Sequence, residues 1–388
     1  MAVFPLFWSN IAERYGRRNV YIASMLIYTA GSIGCALSKN IASLLVSRLI
    51  QSAGSSSVLG VGAGTIADIF ERKERGTAMG LYFLGALLGP PLAPIIGGVV
   101  GQHLGWRAIF WMLTIMAGVS LLALILFLPE THRRIVAQKH QIRPVNIPEV
   151  PTWRENNPIQ TLMYARNPIV MAVIFHNAMV FGGYIAMSNS NTFVMSAIYK
   201  FTQTKTGLTY LGMGGGCLLG SVLGGRFVDF VLNRERKKLA GESANSEASG
   251  GQQIKVPAEI RVRYLWTGAV PFAASTIAYG WMIHAGTVPL GGVLVVQIIC
   301  GTSLSWQLSF TSNYLIDLYP TRGASITASQ AFFRSLWSGV CTQVLINMKT
   351  SIGWGWEFTI FGSLVALGLL LTLPITFRGE QLRNRFPI

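Results

Sequence analysis

The sequence predicts an all-α transmembrane protein made of two helical bundles, with about ten full spans plus a stub. Three observations carry this. The chain is 51% hydrophobic and only 12% charged, where soluble domains carry about a quarter charged residues. Its apolar residues come in runs of roughly 20, the length that crosses a bilayer core of about 30 Å. Its Lys and Arg residues lie in alternate gaps between those runs, the sorting that sets topology in multi-span proteins.

The elements follow in order. Residues 1–9 are apolar but too short to cross, and read as a stub. The basic turn 13–18 comes next. Spans are expected near 20–37, 44–66, 77–100 and 108–128, then near 169–195, 207–227, 265–283, 290–314, 324–346 and 356–377. This divides the chain into a first bundle (1–128), a polar central loop (129–166), a second bundle (167–377) and a tail (378–388). Within the second bundle, 228–262 reads as a flexible loop. Its stretch 242–253 has no apolar residue larger than Ala and cannot offset the entropy of ordering.

Charge counting orients the chain. Alternate gaps, at 10–18, 71–76, 129–166, 226–263, 321–322 and 378–388, hold 24 of the 31 Lys and Arg residues. The opposite gaps hold five, and Arg48 and Arg334 lie within spans. The basic turn, central loop and C-terminus are therefore expected in the cytoplasm, and tryptophans near span ends fit an interfacial belt.

Several function classes drop out. The net charge of +16 does not signal nucleic acid, because the basic residues punctuate apolar runs instead of forming one face. The expected surroundings are a lipid bilayer, a small-molecule substrate and a monomeric state. Cys35, Cys217, Cys300 and Cys341 all fall in apolar runs with no metal or disulfide spacing. No nucleophile–base pair or phosphate loop stands out, so an enzyme is not expected. Residues 60–64 read Gly-Val-Gly-Ala-Gly, but no strand precedes them, which excludes a dinucleotide loop.

The halves repeat. Arg75-Gly76-Thr77-Ala78 opens one span and Arg322-Gly323-Ala324-Ser325 another. Gly105-Trp106 ends the first of these, and Gly355-Trp356 is its expected counterpart. A duplicated bundle is a transporter architecture. Two small-residue ladders also appear, Gly85, Gly89, Ala93, Gly97 and Gly212, Gly216, Gly220, Gly224. Spacing of four places each on one helix face. Two readings stand: ordinary close packing in lipid, or two helices, one per half, that slide on each other. Gly89, Pro90, Pro91, Pro94, Gly97 and Gly98 concentrate three prolines inside one span, which should bend it.

Residues 9–18, Ser-Asn-Ile-Ala-Glu-Arg-Tyr-Gly-Arg-Arg, resemble the loop signature of the major facilitator superfamily, with Ser9 and Glu13 in the usual Gly and Asp places. Arg48-Leu49-Ile50-Gln51-Ser52 resembles its RxxQG motif. The proline-rich stretch resembles its antiporter signature, and Pro129-Glu130-Thr131 the PET ending of its sixth helix. Together these are similar to the fungal twelve-spanner drug:proton antiporters. The resemblance implies a major-facilitator-like fold and proton-coupled efflux of drugs, weak acids or secreted metabolites. The proton gradient would be the driving force, with no bound cofactor. It also implies a plasma membrane location, with the vacuolar membrane as the alternative. One and a half helices would precede the basic turn, so an N-terminally truncated chain is expected. Import or uniport of polyamines or sugars, and a short form that does not transport, stay open.

Site residues follow from cost and from analogy. A charge at the bilayer centre costs about 2.5–3.5 kcal/mol on insertion scales, so Arg48 is the foremost candidate. The resemblance implies a role for it in proton coupling; a structural Arg bonding carbonyls is the alternative. Gln51, one turn on, would meet substrate. His176, Asn177 and Arg334 are further coupling or cavity candidates, and Tyr184, Asn189, Gln297, Trp306 and Asn313 possible substrate contacts. Glu13, Arg14, Gly16, Arg17, Arg18 and Asp68 would form a cytoplasmic charge cluster, which in the family latches the halves; a solvated cluster is the alternative. Glu357 is expected near the outer face and solvated.

Overall fold

The computed structural model describes residues 4–69, 89, 92–131, 135–136, 164–244, 259–286, 289–318 and 323–385. Among these residues there are helices and no strand. The first helices are α1 (Phe4–Tyr15), α2 (Arg17–Leu37), α3 (Ile41–Ser55), α4 (Ser57–Ile69), α5 (Leu92–Leu104) and α6 (Trp106–Phe127). Then come α7 (Pro168–Ala197), α8 (Gln203–Ala244), α9 (Glu259–Arg263), α10 (Trp266–Ala285), α11 (Leu290–Leu318) and α12 (Gly323–Arg385). Among the described residues, six segments are long and apolar enough to cross a membrane.

Local chemistry sets the ends. Asn40 caps α3 by accepting the Ser43 N–H at 2.8 Å, and Asn167 caps α7 ahead of Pro168, each satisfying a free amide. Consecutive spans turn on single glycines at positive φ: Gly16 (φ 91, ψ 160) before α2 and Gly105 (φ 81, ψ 168) before α6. Helix α12 is two spans joined at Gly353 (φ 77, ψ 165). Gly353 thus repeats the backbone of Gly105, 248 positions later. The counterpart of Gly105-Trp106 is therefore Gly353-Trp354, two residues before the Gly355-Trp356 pair expected from sequence. The run Gly-Trp-Gly-Trp is ambiguous to the eye, and only the positive φ decides.

Three other expectations shift. The span expected over 44–66 is α3 and α4 with a break at Ser56. The Ser55, Ser56 and Ser57 hydroxyls all bond carbonyls of the preceding turn, competing with the helix's own amides. The loop expected at 228–262 is helical through Ala244 and again over α9, because its first half, rich in Leu, Arg, Lys and Glu, favours helix. Glu357 is not solvated: it is fully buried. The one-residue turn at Gly353 returns the chain so tightly that Phe358 packs edge-on against Tyr279 of α10, 5.1 Å between ring centres.

The chain forms two compact units, Met1–Thr161 with Phe201–Leu208, and Leu162–Lys200 with Thr209–Ile388. In the first, α2 and α3 touch backbone to backbone. Gly31 faces the Gln51 main chain, and Gly54 faces Tyr28. Cys35, Ala36 and Phe110 join α2 to α6. The Trp8 indole donates to the Ala53 carbonyl at 2.8 Å. In the second unit α7 is buried along most of its length. Val170, Val173, Ile174, Tyr314, Leu315 and Ile326 make a core from α7, α11 and α12.

Candidate functional site

In the first unit, Arg48 donates to Gln51 Oε1 at 3.3 Å, and Gln51 Nε2 donates to Ser32 Oγ at 2.9 Å. Ser32 in turn donates to the Tyr28 carbonyl. The Arg48 guanidinium lies 5.0 Å above the Phe110 ring. Arg48 is exposed, while Gln51 and Ser32 are buried. The spacing Arg48–Gln51 puts both on one face, as the sequence indicates. Gln51, however, is not open to substrate: both ends of its amide are bonded within the α2–α3 seam.

At the other end of α2, Glu130 carries a role the sequence reading missed. Its carboxylate accepts the Arg17 N–H at 2.9 Å, the Arg18 N–H at 3.3 Å and its own neighbour's Thr131 N–H at 3.1 Å. A carboxylate on the first amides of a helix satisfies free donors and meets the positive end of the dipole. Gly16 permits this approach, since a Cβ there would occupy the Glu130 side chain. Arg18 donates to the Ile125 carbonyl at 2.7 Å, Arg17 is buried and Arg14 exposed. The side chains of Glu13 and Asp68 lie outside the described set. The signal available in the sequence was Glu130 itself, the one acid directly after α6.

The glycine ladders resolve differently from each other. Gly212, Gly216, Gly220 and Gly224 face Leu294, Ile298, Thr302 and Trp306 of α11. They form a continuous seam between α8 and α11, so the reading of close packing holds for this ladder. Gly89 and Gly97 face no described atom within 4 Å. Instead Gly98 abuts the Gln203 carbonyl, and Gly207 the Pro94 carbonyl, all within the first unit. The Thr204 hydroxyl donates to Gln102 Oε1 at 2.8 Å beside them. Pro90 lies outside the described residues.

In the second unit, most of the expected cavity residues bond to one another or to neighbouring helices. His176 Nε2 pairs with Gln307 Oε1 at 2.8 Å. Asn177 donates to Thr311 Oγ1 at 2.9 Å, and Gln330 donates to the same oxygen at 3.4 Å. Gln297 donates to Asn191 Oδ1 at 2.8 Å, and Asn191 to Thr209 at 2.9 Å. Each of these side chains is under a tenth exposed. They are a packed polar core, as buried amides in lipid require, and not an open wall. Tyr184 is also buried and accepts from the Cys217 thiol. Asn189 donates to Thr342 on α12, Trp306 to Thr267 on α10, and Asn313 is half-buried. Arg334 has its guanidinium 4.6 Å above the Phe181 ring, and its buried Nε, like His176 Nδ1, Asn177 Oδ1 and Gln297 Oε1, has no hydrogen-bond partner among the described residues.

Two units of apolar helices, each with an arginine over an aromatic ring, and six segments of membrane-crossing length among the described residues make this a helical membrane protein. The sequence profile of the Major Facilitator Superfamily matches residues 1–245, and the chain belongs to that family. It is 27% identical over 384 residues to the MFS-type transporter phiD of Fungal sp. (strain ATCC 74256), covering 92% of this chain and 58% of that protein. It is 31% identical over 358 residues to Citrate exporter 1 of Aspergillus niger, covering 86% and 67%. The chain thus spans between 58% and 67% of the length of these two relatives. Among solved structures, a partially occluded inward open conformation of the xylose transporter XylE from E. coli aligns with a TM-score of 0.66 at 16% identity, covering 95% of this chain and 84% of that one. The fold is therefore shared with a transporter, and these neighbours are transporters, not enzymes.

Proposed function

We propose that this protein exports small organic molecules in exchange for protons by alternating access. One observation carries the reading: each unit keeps an arginine within an apolar helix with no carboxylate partner among the described residues, Arg48 on α3 in the first and Arg334 on α12 in the second. Charges are retained at such depth where they meet a partner or a wet pathway. The exporter among its relatives and the proline-rich stretch ending at Gly98 favour outward movement. The arginine-rich gaps face the cytoplasm, the plasma membrane is the site of action, and the proton gradient supplies the drive to a monomer.

The test is retention of a panel of weak acids and drugs by cells with and without the protein. Cells that carry it should hold less, and collapsing the proton gradient or introducing Arg48→Ala should abolish the difference. Undiminished export under both conditions would show that protons and Arg48 are not involved.

A further inference from the structure

We infer that Arg334 and Trp337 form a subsite for a carboxylate-bearing organic anion inside the second unit. The inference rests on the transport reading and names its class of substrate. The two residues are three apart on α12, so they share a face. That face meets α7 at consecutive residues. The Arg334 guanidinium covers the Phe181 ring, and the Trp337 indole edge lies flush against Gly182, where any Cβ would displace it.

Each side chain presents a buried donor, Arg334 Nε and Trp337 Nε1, that has no hydrogen-bond partner among the described residues. A guanidinium and an indole donate and cannot accept, so the complementary group is an acceptor. Arg334 is also a fixed positive charge on a half-buried side chain, and desolvation of a charge is costly unless a counter-charge is near. None is supplied by its described neighbours. Gln330, one turn earlier on α12, has its amide engaged with Ser312 and Thr311. Lys349 stands about 20 Å further along the same span at 1.5 Å per residue, and Glu357 lies beyond the Gly353 turn, on the second span of α12. Lys349 is itself held over Phe193 and Trp354.

A carboxylate matches these donors best. Its two oxygens match the planar fork of a guanidinium, and the Phe181 and Trp337 rings offer apolar walls to the organic remainder. A cationic substrate would meet an uncompensated like charge.

The full chain, purified in detergent, is titrated with benzoate, citrate, benzamide and chloride while its melting midpoint is followed. Benzoate or citrate should stabilise it saturably, and neutral benzamide and chloride should not. Arg334→Gln should weaken carboxylate binding about 10- to 100-fold, as loss of a charged hydrogen bond does. Arg334→Lys should fall between, and Trp337→Phe should weaken it several-fold while keeping the packing at Gly182. Equal affinity in Arg334→Gln, no stabilisation by either carboxylate, or equal stabilisation by chloride would each overturn the assignment. If Arg334→Gln does not fold, Trp337→Phe decides, and unchanged affinity there overturns it. Export of neutral compounds without carboxylate binding would sink the subsite and leave the transport reading intact. Carboxylate binding without flux in vesicles would do the reverse.

Discussion

The seam between α2 and α3 in the first unit and the seam between α8 and α11 in the second are both built on small residues, yet they do different work. Along α8 four glycines at spacing four meet four successive turns of α11, and the contact is uninterrupted. Along α2 and α3 two glycines press on backbone at each end of a short polar ladder, Arg48–Gln51–Ser32. The first arrangement is a continuous weld. The second brings two helices close around a hydrogen-bonded chain that ends in Arg48, whose guanidinium lies 5.0 Å above Phe110. In lipid, where excluding water offers no help, close packing and hydrogen bonds are the available means for both.

The largest effect should come from breaking the weld. Gly220→Leu forces a branched side chain into the Thr302 main chain, and overpacking of this kind costs about 3 kcal/mol. The second unit should lose its cooperative melt in detergent. Gly97→Leu, at a position that faces no described atom within 4 Å, should leave the melt unchanged; equal damage from both would erase the contrast between the two positions.

Next in size is the α2 terminus. Glu130→Ala removes the carboxylate from two helix amides and should destabilise the first unit by about 1–2 kcal/mol, read as a lower melting midpoint and faster proteolysis near residue 16. Glu130→Gln should recover part of it. No change in either would mean that the amides find water equally well.

Smaller still is the buried pair in the second unit. A double-mutant cycle of His176→Leu and Gln307→Leu should return a coupling of about 0.6–1.7 kcal/mol, the range for hydrogen bonds between membrane helices. The parallel cycle of Arg48→Gln with Gln51→Leu should return less, because Arg48 is exposed. The smallest change is Asn40→Ala, which removes the cap of α3 at an exposed site. It should cost about 0.5–1 kcal/mol in amide exchange confined to the first turn.

Much of the fold was legible in the sequence because hydropathy and charge act locally. Nine of the ten expected spans coincide with described helices, and the two arginines inside them stand out from composition alone. The tenth, at 77–100, is described only at its end. The proline and glycine punctuation marked the right region of each turn. It could not mark the right residue where Gly353 and Gly355 compete, since only backbone geometry separates them. The candidate site was less legible. His176, Asn177 and Gln297 were visible as polar residues in apolar runs. Whether such a group lines a pathway or satisfies a neighbour depends on what stands across from it.

By itself, then, the sequence determined that this chain crosses a membrane as two related bundles of helices, where its basic gaps fall and which family it resembles. Those properties are sums over neighbouring residues. The tertiary structure alone decided the pairings: Glu130 on the α2 amides, the α8 glycines against α11, the polar residues bonded to one another, and the Arg334 guanidinium over Phe181. Pairings depend on residues as far apart in the chain as Arg17 and Glu130 or His176 and Gln307, and no local rule of periodicity reaches that far.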